Sequence, residues 1–157
     1  MDYIQQLQFN LKNQSQEGNI RGLIDDEFFR LADKITELNI SQIDAHEGFD
    51  DKLLFNPDYK GVYSENTSIS AFRQGLHKPI GGRYDFQWTG SFKSGFEILD
   101  RPEGYAIDSL GAFDSPDKIE FFEGYRNMFG LNTENTSIIE TEVLYFVLEK
   151  ILSKVYE

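Results

Sequence analysis

The chain has 157 residues, 15 basic and 27 acidic, for a formal charge of −12, and it contains no cysteine. That length suits one domain burying about two thirds of its unfolded surface, and 14 Phe with 8 Tyr is too much apolar ring for a disordered acidic chain. A disulfide framework, a thiolate nucleophile and a cysteine zinc site are excluded, the acidic balance argues against a free-standing nucleic-acid binder, and no apolar run is long enough to span a membrane.

Residues 1–19 read as an arm: Asp2 to Leu11 could form a short helix with Ile4, Leu7 and Leu11 inward, and Asn13 to Asn19 is a polar link. Residues 20–157 then form a single α+β domain. From Ile20 to Leu38 the positions Ile24, Phe28, Leu31, Ala32, Ile35 and Leu38 recur at steps of three and four, the face of a long N-terminal helix. Asp25, Asp26 and Glu27 suit the positive end of its dipole. The stretch 44–83 holds Gly48, Asn56-Pro57-Asp58, Gly61, Gly75, Pro79 and Gly81-Gly82, breakers that leave room for extended loops and one short helix near Ile69 to Gln74. A connection of that length is functional or ordered by a partner.

Tyr84, Phe86 and Trp88 alternate with polar residues, which predicts a half-exposed strand or an extended lead-in to one. Phe92 to Leu99 and Gly104 to Ser109 flank Asp100-Arg101-Pro102-Glu103, which predicts a central antiparallel β-hairpin. Such a hairpin needs helices or a neighbouring subunit to lean on. Ser115-Pro116-Asp117 opens a short helix ending near Gly124. A loop from Arg126 to Asn135 precedes the C-terminal helix, with Thr136 or Ser137 and Glu140 as a capping box. In that helix Leu144, Val147, Leu148, Ile151, Leu152 and Val155 form a core-facing stripe, while the unbroken apolar run Val143 to Leu148 wraps more than one face. The second face is covered either by the chain's own elements or by another subunit.

Charge is uneven: residues 1–60 carry 12 acids against 6 bases, residues 61–99 carry 3 against 4, and residues 100–157 carry 12 against 5. The middle is either buried strand and loop or a patch of Arg73, Lys78, Arg83 and Lys93 that meets an acidic neighbour, as head-to-tail assembly would require. With Trp88, Phe92 and Phe96, these four bases make up the candidate subunit interface. Candidate chemistry is sparse. His46 lies among Asp44, Glu47, Asp50 and Asp51, oxygen ligands without the spacing of a calcium loop, and His77 has no acid beside it. Ser91 between Gly90 and Gly95 does not make a nucleophile elbow, and Gly81-Gly82-Arg83 lacks a phosphate-loop pattern. The reading is therefore of no catalytic set, metal or cofactor. Two alternatives stay open: a small hydrolase using a carboxylate pair with a raised pKa, and a module binding a sugar or peptide on the Trp88 aromatic face.

Three stretches, taken in order, carry a resemblance. Ile35 to Ile43 is followed by Gly48-Phe49-Asp50 and Gly61-Val62-Tyr63-Ser64-Glu65-Asn66-Thr67; then comes Trp88-Thr89-Gly90-Ser91-Phe92-Lys93-Ser94-Gly95-Phe96; last come Asp117-Lys118, Tyr125 and Met128-Phe129-Gly130-Leu131-Asn132. Together, over about residues 31–155, they resemble the head–tail connector, tail-completion and minor virion proteins of tailed bacteriophages infecting Bacteroides-type hosts, the crAss-like group. Ser91 stands where that pattern has an acid, and Ile43 where leucine is common. The resemblance implies a non-enzymatic α+β virion subunit, made in the host cytoplasm. It would build a twelve- or six-fold ring between the portal and the other connector and tail proteins. DNA would pass through without specific binding, as an acidic channel wall favours.

Overall fold

Helix formation in the first third begins earlier and runs further than the apolar stripe suggests. In the computed structural model, which describes residues 17–54, 61–101, 104–112 and 116–155 together with Gln5, Gln8 and Lys12, it gives α1 (Glu17–Arg30) and α2 (Ala32–Asp44). The Leu31 amide donates to both the Glu27 and Phe28 carbonyls, at 3.0 and 3.2 Å, and Ile35 donates back to Leu31 at 2.9 Å. The hydrogen-bond ladder therefore passes through the junction. After these come α3 (Glu65–Arg73), a single turn α4 (Ser91–Ser94), strands β1 (Phe96–Arg101) and β2 (Gly104–Ser109), α5 (Pro116–Glu123) and α6 (Thr133–Val155). The fold is α+β, with N- and C-terminal helices and a two-stranded antiparallel sheet. Among the described residues no helix is long and apolar enough to cross a membrane. The expected helix over Asp2 to Leu11 falls largely outside the described residues.

Contacts gather into two units, Met1–Ile35 with Thr136–Glu157, and Thr36–Asn135. In the first, Lys34 pairs with Glu142 and Lys150 attracts the Glu27 carboxylate, a correspondence that runs the two helical segments antiparallel. Its buried side chains are Leu31, Ile35, Ile139, Val147 and, unusually, Glu27. That carboxylate receives Arg30 Nε at 2.6 Å and a second guanidinium nitrogen at 2.5 Å, which holds it below its ordinary pKa despite the opposing pull of burial. The C-terminal helix departs from expectation: Val147 is buried and Ile151 half-buried, but Leu144, Leu148 and Leu152 of the expected core-facing stripe are exposed.

In the second unit the core is Ile43, Leu54, Phe86, Phe92, Ala112, Phe122, Tyr125 and Met128. The hairpin pairs Phe96 with Ser109 through Arg101 with Gly104, so Asp100 and Arg101 belong to β1; Pro102 and Glu103 of the expected turn lie outside the described residues, as does Ser115. Phe92 to Gly95 is helical turn rather than strand. Gly90 enters it at φ +86°, Ser109 Oγ donates to the Phe92 carbonyl at 2.5 Å, and Gly111 packs against the Ser91 backbone. Tyr84 to Trp88 forms no strand either. Phe86 sits at φ +51°, which breaks the extended run and turns its ring into the core. The short helix expected near Ile69 starts at Glu65 because Ser64 Oγ accepts the Thr67 amide at 3.2 Å, satisfying one of the orphan donors of a helix start.

The long C-terminal helix starts three residues before its expected capping box, and the acidic loop explains why. Asn132 Oδ1 accepts the Asn135 amide at 2.9 Å, and Asp51 accepts the Thr133 amide at 3.0 Å and its hydroxyl at 2.5 Å. The loop itself is closed by the bond from the Gly48 amide to the Lys52 carbonyl and tied to the Arg126–Met128 turn by the bond from the Phe49 amide to the Asn127 carbonyl.

Two glycines test this packing from opposite sides. A methyl at Gly111 would stand 2.1 Å from the Ser91 carbonyl oxygen and 2.4 Å from its carbon, whereas one at Gly22, inside α1, meets nothing within 4 Å. Chemical denaturation should show Gly111→Ala losing about 3 kcal/mol and Gly22→Ala gaining about 0.5–1 kcal/mol.

Candidate ligand-binding cleft

The cleft is built on α5. Lys118, Phe121 and Phe122 follow the i, i+3, i+4 spacing that places them on one helix face, and this face forms one wall. Phe122 stacks on Phe92 with centroids 4.4 Å apart, Phe121 leans on Tyr84 at 5.7 Å, and Phe86 meets Tyr125 edge-on at 5.2 Å. Such tilted and edge-on pairs each add about 0.5–1.5 kcal/mol beyond burial. Tyr125 lies within this ring cluster, and burial pushes its phenol up to about 12. Between these rings and the loop Gln87 to Ser91 lies a cavity of about 400 Å³, with Tyr63 and Thr67 opposite.

The loop is held from behind by Asp85. Its carboxylate accepts the Tyr63 hydroxyl at 2.7 Å and the Gln87 amide at 2.9 Å, and it pairs with the ammonium of Lys78. Burial pushes the Asp85 carboxyl up, but these three donors outweigh it, and the group sits below its ordinary pKa. Burial, followed by the hydrogen bond to Asp85, raises the Tyr63 phenol. Because Gln87 is tied to Asp85 two residues back, the left-handed Phe86 between them is fixed, a backbone strain of about 1–3 kcal/mol that the surrounding bonds sustain. Beyond it Trp88 Nε1 donates to Gln74 Oε1 at 3.0 Å, so the indole is oriented rather than swinging in water. Next come the polar groups of the cleft. Thr89 Oγ1 and Ser91 Oγ lie 2.9 Å apart, and Lys118 Nζ donates to Ser91 Oγ and to the Gly111 carbonyl, both at 3.2 Å.

Of the interface residues expected from sequence, Trp88 and Phe92 line this cleft, Phe92 as a core ring rather than a surface one. Phe96 is half-buried beside Phe92 and Phe129. Lys78 is buried against Asp85 and Lys93 pairs with Asp44, so each of these two bases meets an acid of its own chain. Arg73 and Arg83 are exposed, and Arg83 bridges to Val62 through the backbone. Tyr63, Thr67, Lys118 and Phe121 were not anticipated in the cleft. The spacing of Lys118 with Phe121 and Phe122 was the available sign.

The acidic loop around His46 is spent on structure. Glu47 accepts from Asn132 Nδ2 at 3.1 Å, Asp50 from Asn127 Nδ2 at 3.1 Å, and Asp51 from Thr133; among the described residues no group of carboxylates and histidines converges as a metal site. Burial, then the nearby Arg83 charge, pushes the His46 imidazole down. The carboxyls with displaced pKa values, Glu27, Asp50, Asp51 and Asp85, are all displaced downward, and none of them lines the cleft. No family model, curated protein or solved structure matches the chain.

The Asp85 node carries a pH dependence of definite sign. A carboxyl whose folded pKa is lowered stabilises the fold above its unfolded pKa, near 3.8, and that contribution disappears as the pH falls through the lowered folded value. Asp85→Asn should cost on the order of 1–2 kcal/mol at pH 7, moderated because the carboxylate is half exposed, and should flatten the acid limb of a urea-stability profile.

Proposed function

We propose that this chain is a non-enzymatic structural subunit of a bacteriophage head–tail connector ring. In this reading its copies pack head-to-tail around the DNA passage, twelve- or six-fold, between the portal and the neighbouring connector and tail proteins of the virion.

One observation carries this reading: the long C-terminal helix keeps an apolar stripe in water. Leu144, Tyr145, Leu148 and Leu152 are 58, 70, 46 and 51 % exposed, at helical spacings that line up as one face. Ile138 continues the stripe one turn and more toward the N-terminus, also exposed. Scattered exposed leucines need no explanation, but a contiguous stripe along α6 marks a surface built to be covered. A second copy is the occupant that the resemblance implies. The charge of −12 supports the rest of the reading, since a wall of that sign lets DNA slide past without adhering.

Sedimentation velocity on the purified chain should show oligomers that grow with concentration. Leu148→Asp combined with Leu152→Asp should leave a folded monomer, because substitutions at exposed sites cost the isolated chain about 0.5 kcal/mol or less. A native chain that stays monomeric at every concentration, alone and with portal and tail proteins added, would remove the basis of the proposal.

A further inference from the structure

The cleft beside α5 lies in the Thr36–Asn135 unit, while the exposed stripe on α6 belongs to the other, so the ligand of the cleft is a separate question from assembly. We infer that the cleft is a binding site for a small, flat, uncharged aromatic compound. At about 400 Å³ it has the size of a small-molecule site. Half of the described residues that line it are aromatic, and none of them is Leu, Ile, Val or Met. Its walls are rings already fixed by other contacts: Trp88 by Gln74, Tyr63 by Asp85, and Phe121 and Phe122 by each other and by Tyr84 and Phe92. A slot that presents fixed ring faces and edges favours a flat ring, which gains offset and edge contacts without ordering the site first.

That the ligand is uncharged follows from how the polar lining is already used. Lys118 Nζ donates to Ser91 Oγ and to the Gly111 carbonyl, Ser91 Oγ meets Thr89 Oγ1, and Thr67 Oγ1 meets Ser64 Oγ. The ammonium is therefore held by its own chain before any ligand arrives. An anion would have to displace those bonds and also leave water for apolar walls, a cost that burial of a charge repays only with well-made new bonds. A cation would share the slot with the Lys118 ammonium and be repelled by it. A sugar needs several hydrogen-bonding side chains to replace its water, and Gln87 is the one amide or carboxylate side chain among the described residues of the lining. An uncharged aromatic ring gives up little on leaving water and meets walls that match it.

Trp88 is the only tryptophan, so its fluorescence reports the cleft directly in the full chain. Titration with 2-phenylethanol should give a saturable change with a Kd below about 10 mM. Phenylacetate and 2-phenylethylamine, which carry the same ring with a charge of either sign, should each bind about tenfold more weakly. The saturated analogue 2-cyclohexylethanol, equally apolar but not flat, should bind about threefold more weakly. Thr67→Phe, which puts a ring into the slot from the wall opposite the Gln87 to Ser91 loop, should abolish the change, and Thr89→Phe serves in its place if that variant does not fold. The inference is overturned by the absence of saturation, by an ion or the cyclohexyl alcohol binding as tightly as 2-phenylethanol, or by unchanged binding in a folded Thr67→Phe or Thr89→Phe chain. It is also overturned if an acetyl-Gly-Phe-Gly amide peptide or methyl β-glucoside binds tenfold better than 2-phenylethanol, which would make the cleft a peptide or sugar site.

Discussion

A chain with one hairpin of sheet must satisfy the backbone of its long irregular segments with side chains, because buried amides and carbonyls left without partners are costly. Much else in the Thr36–Asn135 unit follows from that constraint. Asn39 and Gln42, both buried on α2, donate to the carbonyls of Met128 and Gly130 at 2.9–3.0 Å, and Gln42 Oε1 accepts the Asn132 amide at 2.7 Å. These two amides carry the bend between the Arg126–Met128 turn and α6. Once the bend is fixed, Asn132 and Asp51 can cap the long helix, and Met128 can fill the core. The segment Met128-Phe129-Gly130-Leu131-Asn132 therefore has a structural reason to exist, as the receiving surface for α2.

The same constraint accounts for how charge is used. An acidic chain can afford few idle bases, and Lys78 and Lys93 are consumed by Asp85 and Asp44. Asp85 shows the consequence: one carboxylate fixes a tyrosine, a lysine and a strained turn, and thereby shapes a cleft to which it contributes no charge.

Helix positions were legible because amphipathic spacing is a local property, and the Pro116–Glu123 helix starts where its proline pointed, whereas the helix expected near Ile69 to Gln74 starts earlier, at Glu65. Misreadings arose where a distant partner decides. Tyr84 to Trp88 alternates like a strand, yet Asp85 ties the Gln87 amide and turns Phe86 left-handed. Phe92 reads as strand, yet Gly111 admits the Ser91 backbone so closely that a helical turn forms. The start of α6 depends on Asp51, 82 residues away. Periodicity also cannot separate a face covered by the same chain from one covered by a copy: Leu144, Leu148 and Leu152 match a core stripe in spacing but remain in water. The cleft was half visible, in Trp88 and Phe92, because its other wall comes from a helix some 30 residues on, with Lys118 standing 27 residues beyond Ser91.

Exposed leucines on a stable helix cost little in a monomer and gain their full burial energy only in an assembly, at about 25 cal/mol per Å² of apolar surface removed from water. The most direct measurement is a density map of the intact virion at side-chain resolution. The account predicts this chain as a closed ring between portal and tail, with Tyr145, Leu148 and Leu152 buried against the adjacent copy. A map in which the ring is built of other chains, or in which that stripe faces solvent in every copy, would contradict it.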